Sequence, residues 1–282
     1  MSGTSVLYDV PGPKARLRYR LYGLVSILAV AALLGYVIYK LNESGQFNAK
    51  KWEIFQYTEV QKSLLRGLQA TVKAGAIAGV LALLLGGVLA SGRLSDHRFL
   101  RVPSYAAVEL FRAVPLLILI FFMYYGLKFG QLTSVVLGLT IYNGAVLAEI
   151  FRAGINAVAR GQSEAGYALG LRKNQVMRIV LLPQAVRSML PAIVSQLVVL
   201  LKDVALGFLI TYRELLTEAK QLFSAQAFEF PVLPVTFVVA AIYILMCSML
   251  SLLARYLEGR TRRTRKTAAE PVPVEAEVGP MA

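Results

Sequence analysis

The chain is poor in the side chains that build catalytic and metal centres. Its 282 residues include one cysteine and one histidine. A single cysteine, Cys247, excludes an intrachain disulfide, and its apolar surroundings mark it as a packing residue rather than a reactive thiol. A zinc site needs several His or Cys ligands at close spacing. His97 alone cannot supply them and reads as a solvated loop residue, so no metal site is expected. The phosphate-cradling pattern G-x-x-x-x-G-K-[ST] is absent. Scattered carboxylates with one histidine and one cysteine form no catalytic constellation, so the chain is not expected to be an enzyme. Acid is scarce too: 16 Asp and Glu stand against 30 Lys and Arg, a formal net charge of +14.

What the chain has instead is apolar surface. Hydrophobic residues make up 57% and charged residues 16%, with a mean hydropathy of +0.60. Soluble domains carry about 25% charged residues, and a chain this apolar would expose large patches to water. It therefore reads as a membrane protein. The basic residues lie between apolar runs rather than over one soluble face, which argues against a nucleic-acid partner.

A transmembrane helix needs about 20 mostly apolar residues. Six runs qualify: 21–39, 74–92, 105–127 (tolerating Glu109 and Arg112), 131–148, 189–210 (through Lys202 and Asp203) and 230–254. The expected fold class is an all-α, polytopic membrane helix bundle of six spans. The first run is full-length and lacks a small-residue cleavage site, so residues 21–40 read as an uncleaved anchor. Short loops rich in Lys and Arg face the cytoplasm. They are the amino-terminal segment 1–20, the loop with Arg93, Arg98 and Arg101, the loop with Arg160, Arg172, Lys173, Arg178 and Arg187, and the tail. Both termini are thus expected inside, with 41–63 an extracytoplasmic loop. The tail, 258–282, is Arg-rich and then rich in Pro, Glu and Ala, and is expected to be disordered.

The loop 153–188 stands out. It reads as two short helices, 162–169 stopped by Gly170 and 174–182 ended by Pro183. Gly166 inside the first suggests close approach of another backbone. Such a helix suits insertion into a partner's groove or, equally, rest on lipid headgroups. Glu164-Ala165-Gly166, followed by Gly170, Ile179, Leu182 and Pro183, resembles the EAA loop of ABC importer permeases, with Gly166 where alanine is typical. Gly67-Leu68-Gln69-Ala70-Thr71-Val72 is similar to the opening of the permease core in amino-acid importers. Glu109-Leu110-Phe111-Arg112-Ala113-Val114-Pro115 and Leu200-Leu201-Lys202-Asp203 resemble further motifs of the polar amino-acid branch (glutamate, glutamine, histidine, arginine type), a glutamate uptake permease above all.

The resemblance spans about 64–257 and implies a five-span permease core plus one amino-terminal span. It implies that Glu164, Ala165, Gly166, Gly170, Ile179, Leu182 and Pro183 dock on a separate cytoplasmic ATPase, which hydrolyses the ATP. This chain would need no cofactor. A second permease chain, identical or paralogous, and an extracytoplasmic amino-acid-binding protein would complete a system in the bacterial cytoplasmic membrane.

Charges within a bilayer are costly and mark pathways or partners. Glu109/Arg112 and Glu149/Arg152 repeat one i,i+3 pattern. They read either as interfacial ion pairs with snorkelling arginines or as a cytoplasmic gate of Glu109, Glu149 and Arg152 whose pairs exchange. Lys202 and Asp203 lie about 20 Å into a span counted from Met189. They are a structural pair or a substrate site, Asp203 for the ammonium and Lys202 or Arg112 for the carboxylate. Asn143, with Thr140 and Tyr142, adds hydrogen bonds to substrate or joins helices. Gly75, Gly79, Gly86 and Gly87 read as packing residues. The alternative is an ion-gradient-driven secondary transporter, which usually carries internal repeats and broken midplane helices. The E-[LI]-F-R echo is too short to be a repeat.

Overall fold

A computed structural model describes residues 12–266. In chain order the helices are α1 (Pro13–Glu43), α2 (Ala49–Trp52), α3 (Thr58–Arg93), α4 (Arg98–Ala113), α5 (Leu116–Phe121), α6 (Gln131–Asn156), α7 (Arg160–Ala168), α8 (Lys173–Gln175), α9 (Leu182–Asp203), α10 (Leu215–Phe223) and α11 (Val232–Lys266). π-helical turns extend α5 over Phe122–Gly126 and join α8 to α9 over Val176–Leu181. A 3₁₀ segment, Val204–Ile210, continues α9. The described residues contain no strand. The expected all-α membrane bundle is borne out.

Among the described residues five helical runs are long and apolar enough to cross a membrane, and a bent pair passes the same test only when its two helices are counted together. The bent pair corrects the straight third span expected at 105–127. α4 and α5 meet at 99° because Val114 is extended (φ −76°, ψ 127°). The Pro115 ring disfavours helical backbone at the residue before it. The Pro115 carbonyl then accepts the Ile118 N–H at 2.9 Å and starts a new helix.

Pro183 also departs from expectation, since it sits in the first turn of α9 and ends nothing. The π-helical winding of Val176–Leu181 just before it accommodates the missing N–H, so the helix continues instead of stopping. The second loop helix thus runs on into the fifth span. α11 likewise extends through the Arg-rich stretch to Lys266, and the remainder of the tail lies outside the described residues.

α3 organises the core. Thr71, Ala74, Ala78, Ala82, Gly86 and Ala90 are all buried. Their three- and four-residue spacing puts them on one stripe, and small side chains let neighbouring helices come close. Leu139 and Leu147 of α6 and Leu200 of α9 pack with the Ala74–Ala78–Ala82 part of it. A Cβ on Gly86 would stand 2.9 Å from Leu147 Cβ and 3.0 Å from the Gly144 carbonyl oxygen, whereas Gly87 has nothing within 4 Å. Gly87 is therefore not the packing residue it was expected to be. A second cluster joins α10 to α3 and α11 through Leu64, Leu215, Ala219 and Val235. None of the apolar window of α1 is buried, so within a single chain no face of this window packs against the bundle.

Candidate translocation pathway and coupling surface

α6 and α9 are antiparallel. Gly154 meets Met189, Asn143 meets Gln196, and Val135 meets Gly207. Loops expected on one membrane face touch one another. Asp96, between α3 and α4, pairs with Lys173 of α8. At the other end Asn48 and Lys50 bind Glu229, at 3.0 and 3.3 Å, and Gln131 donates to Thr211 at 2.8 Å. The candidate residues fall on successive levels along this axis.

The lowest level is the α7–α8 hairpin. Gly170 follows α7 with φ +78°, a conformation that a Cβ would strain. Its N–H donates to the Tyr167 carbonyl at 2.9 Å, and the Leu171 N–H donates to that of Gly166 at 3.2 Å. These bonds satisfy the carbonyls left open at the helix end. The close neighbour predicted for Gly166 is a side chain of the same loop: an added Cβ would lie 3.0 Å from Val176 Cγ2. Gly166 thus closes the hairpin rather than meeting another backbone. Glu164, Ala165 and Pro183 are exposed. So are Leu169 at 82%, Ile179 at 64% and Leu182 at 39%, an apolar patch on a protruding loop. Lys173 beside Asp96 holds that carboxyl below its ordinary value, so the carboxyl stays charged at neutral pH.

The next level is a charge cluster. Arg93 Nη1 lies 2.8 Å from Glu149 and Nη2 lies 3.9 Å from Glu109. Its guanidinium sits 5.1 Å over the Tyr105 ring. Arg112 reaches Glu109 at 3.8 Å, and Arg152 Nε donates to Glu149 at 3.1 Å. The predicted pairs therefore form, and Arg93, read from sequence only as an orientation charge, joins them into one network across α3, α4 and α6. Its side chain is 8% exposed. The Arg93–Glu149 contact is close yet lacks hydrogen-bond alignment, leaving Nη1 without a donor bond. No local sequence signal marks Arg93, because both of its partners come from other helices.

Asn143 lies at mid-depth and is fully buried. Its Nδ2 donates to the Leu139 carbonyl at 2.9 Å, and its Oδ1 accepts from Gln196 Nε2 at 2.8 Å. It joins α6 to α9. The Thr140 hydroxyl beside it is buried without a hydrogen-bond partner among the described residues. Lys202 and Asp203 form the level farthest from the hairpin. Lys202 is exposed and Asp203 half-buried, and among the described residues neither side chain makes a hydrogen bond or close ion pair. Because α9 starts at Leu182, Lys202 lies about 30 Å along it, further out than a span from Met189 implies.

Glu149 is six residues from Asn143, and Lys202 is six from Gln196. The Arg112 level and the Lys202 level are thus about 18 Å apart along the axis, on opposite sides of Asn143. The four residues predicted to bind substrate occupy three levels and are not gathered into one pocket.

Residues 82–263 match the family of binding-protein-dependent transport system inner membrane components. The chain belongs to this family. It is 40% identical over 252 residues to the glutamate transport system permease protein GluD of Corynebacterium glutamicum, covering 85% of this chain and 90% of the relative. It is 31% identical to the arginine transport system permease protein ArtQ of Bacillus subtilis, covering 71% and 92%. Among solved structures it is similar to an amino acid ABC transporter crystallised with histidines, at 30% identity and a TM-score of 0.68, covering 73% of this chain and 98% of that one. The MetNI methionine ABC transporter shares the fold at 19% identity and a TM-score of 0.61, covering 72% and 98%.

The likeness to amino-acid importer permeases is therefore borne out. Members of this family are permease components and not enzymes, and their ATP is hydrolysed by a separate subunit. Family membership does not favour an ion-gradient-driven transporter.

Proposed function

We propose that this chain is the membrane-spanning permease of an ABC importer for a polar amino acid, glutamate or glutamine, in the bacterial cytoplasmic membrane. The observation that carries the coupling role is the hairpin. Gly170 in the left-handed conformation holds α7 against Val176 and leaves Leu169, Ile179 and Leu182 as an exposed apolar patch. Buried apolar side chains are the usual anchors of a groove-bound helix. A cytoplasmic ATPase offers such a groove, with Glu164 and Ala165 presented beside the patch. Both termini and this hairpin lie on the cytoplasmic side, as the basic loops require. A second permease chain, identical or paralogous, encloses the pathway, and an extracytoplasmic binding protein delivers the substrate.

The Arg93–Glu149–Glu109 cluster sits between the coupling hairpin and the pathway, where it serves as a gate. ATPase closure moves the hairpin, and the Lys173–Asp96 pair links that movement to the α3–α4 turn. The gate opens by exchange among Arg93, Arg112, Arg152 and the two glutamates, an alternation between two populated states. Substrate contacts are made at Asn143 and, further out, at Lys202 and Asp203, with Arg112 receiving the carboxylate on the inner side.

One paired experiment tests the reading. Gly170→Val should abolish co-purification of the ATPase together with ATP-driven uptake. Asp203→Lys should abolish uptake while the ATPase stays bound. If Gly170→Val retains ATPase and uptake, the docking role is wrong. If Asp203→Lys imports amino acid with wild-type affinity and rate, the site assignment is wrong.

A further inference from the structure

A cavity of about 600 Å³ lies against α10 beyond the Lys202 level. Thr217, Lys220, Gln221 and Ser224 line it and fall on one helical face, at offsets of 0, 3, 4 and 7. The opposite face, with Leu215 and Ala219, is buried against Leu64 and Val235. α10 is thus held by its apolar side and turns its polar side to the cavity. Phe208 and Arg213 supply the facing wall.

No carboxylate is among the residues that line it. The two acids interspersed in sequence with the lining residues 213–221 are engaged in other contacts. Glu214 is buried and accepts the Leu216 and Thr217 N–H groups at 2.8 and 2.7 Å and the Tyr243 hydroxyl at 3.1 Å. Glu218 is buried and accepts from Ser63 and from Arg213 Nε, the latter at 2.8 Å. Arg213 is thereby neutralised. Lys220 has no carboxylate partner among the described residues. Its ammonium lies 5.4 Å over the Phe208 ring, a contact that positions a cation without neutralising it. The Gln221 and Ser224 side chains make no hydrogen bonds among the described residues, so their donors are free.

We propose that this cavity is an outer receiving site for an acidic amino acid, whose side-chain carboxylate is held by Lys220 Nζ with Gln221 and Ser224 as hydrogen-bond donors. The proposal rests on the amino-acid permease reading above. One uncommitted cation matches one carboxylate, whereas a phosphate would lack its second positive partner. The volume falls within the roughly 300–1,000 Å³ of small-ligand sites. Phe208 is six residues beyond Lys202, so about 9–12 Å separates the cavity from the Lys202–Asp203 level. A neutral amino acid brings no second carboxylate and gains nothing from Lys220. The site therefore adds a preference for acidic over neutral substrates after release from the binding protein.

The test uses the whole importer in proteoliposomes, with its ATPase and binding protein, and reads kcat/KM for L-glutamate and L-glutamine uptake. The same binding protein serves every variant, so a change in the glutamate-to-glutamine ratio comes from the permease. Lys220→Glu should lower that ratio about ten-fold and Lys220→Gln about three-fold, with Lys220→Arg keeping it, as expected of one charge-assisted contact. An unchanged ratio in Lys220→Glu, or an equal fall for both substrates, overturns the site. If Lys220→Glu does not insert, Lys220→Gln decides. A wild-type importer that takes up glutamine and not glutamate overturns the site while leaving the permease reading intact, and one that imports no amino acid ends both.

Discussion

Gly86 and Gly87 are adjacent, yet adding one methyl group to each should have opposite effects. A Cβ on Gly86 would lie 2.9 Å from Leu147 Cβ, 3.0 Å from the Gly144 carbonyl oxygen and 3.2 Å from the Ala148 nitrogen. Carbon atoms prefer about 3.5–4.0 Å. Two of the three obstacles are backbone atoms, so α6 must retreat by roughly 0.6–1 Å rather than re-orient a side chain. Overpacking of this kind costs about 1–3 kcal/mol. It would also stretch the 2.8 Å Arg93–Glu149 contact between the same two helices. Gly87 has nothing within 4 Å of the same methyl, and there the change removes backbone freedom, stabilising the helix by about 0.5–1 kcal/mol. The expected gap between Gly86→Ala and Gly87→Ala is therefore about 1.5–4 kcal/mol. It can be read from loss of helical circular dichroism on heating the purified chain in one detergent. Equal stability of the two variants, or the reverse order, would refute the assignment of Gly86 to the α3–α6 contact.

Two further outcomes are expected. Arg93→Met leaves Glu149 and Glu109 with Arg152 and Arg112, and those glutamates are 27% and 47% exposed, so it should cost about 1 kcal/mol rather than the 3–5 of a fully buried pair. It should also raise the ATP hydrolysed per amino acid imported, and an unchanged stoichiometry would exclude Arg93 from coupling. Burial pushes the Glu214 carboxyl above its ordinary value of 4.5, against the N–H groups of Leu216 and Thr217 that oppose the shift. A raised folded value means that folding favours the protonated form. Its contribution is full below the unfolded value and lost as pH rises through the folded one. Glu214→Gln should flatten that fall in thermal midpoint as pH rises above the ordinary value of 4.5, and identical slopes would rule Glu214 out as its source.

Local features were legible in the residues. Five of the six apolar runs became single helices long and apolar enough to cross a bilayer, and the other became a bent pair, because a bilayer core demands length and apolarity, both visible in one dimension. The i,i+3 spacing of Glu149 and Arg152 predicted a pair that forms, and Gly170 was read as a helix stop and adopts the backbone that only glycine holds cheaply. Some misreadings were local as well. Val114-Pro115 carried the signal for the 99° break, and hydropathy outweighed it. Pro183 signals a stop, yet the helix runs through it, because the π-helical turn before it accommodates the missing N–H.

The sequence by itself determined the class of molecule, its helices and the place of its exposed loop hairpin, because hydropathy, helix periodicity and glycine geometry act between near neighbours. Only the tertiary structure decided that Arg93 joins two glutamates from different helices and that Gly86 packs while Gly87 does not. The same holds for the three levels that separate Arg112, Asn143 and Lys202, and for the polar face of α10 over a cavity where Lys220 has no carboxylate partner among the described residues. Each of these depends on which face of a helix meets which neighbour. Small residues on one stripe allow several neighbours to approach, and the choice among them is made by packing all the helices at once.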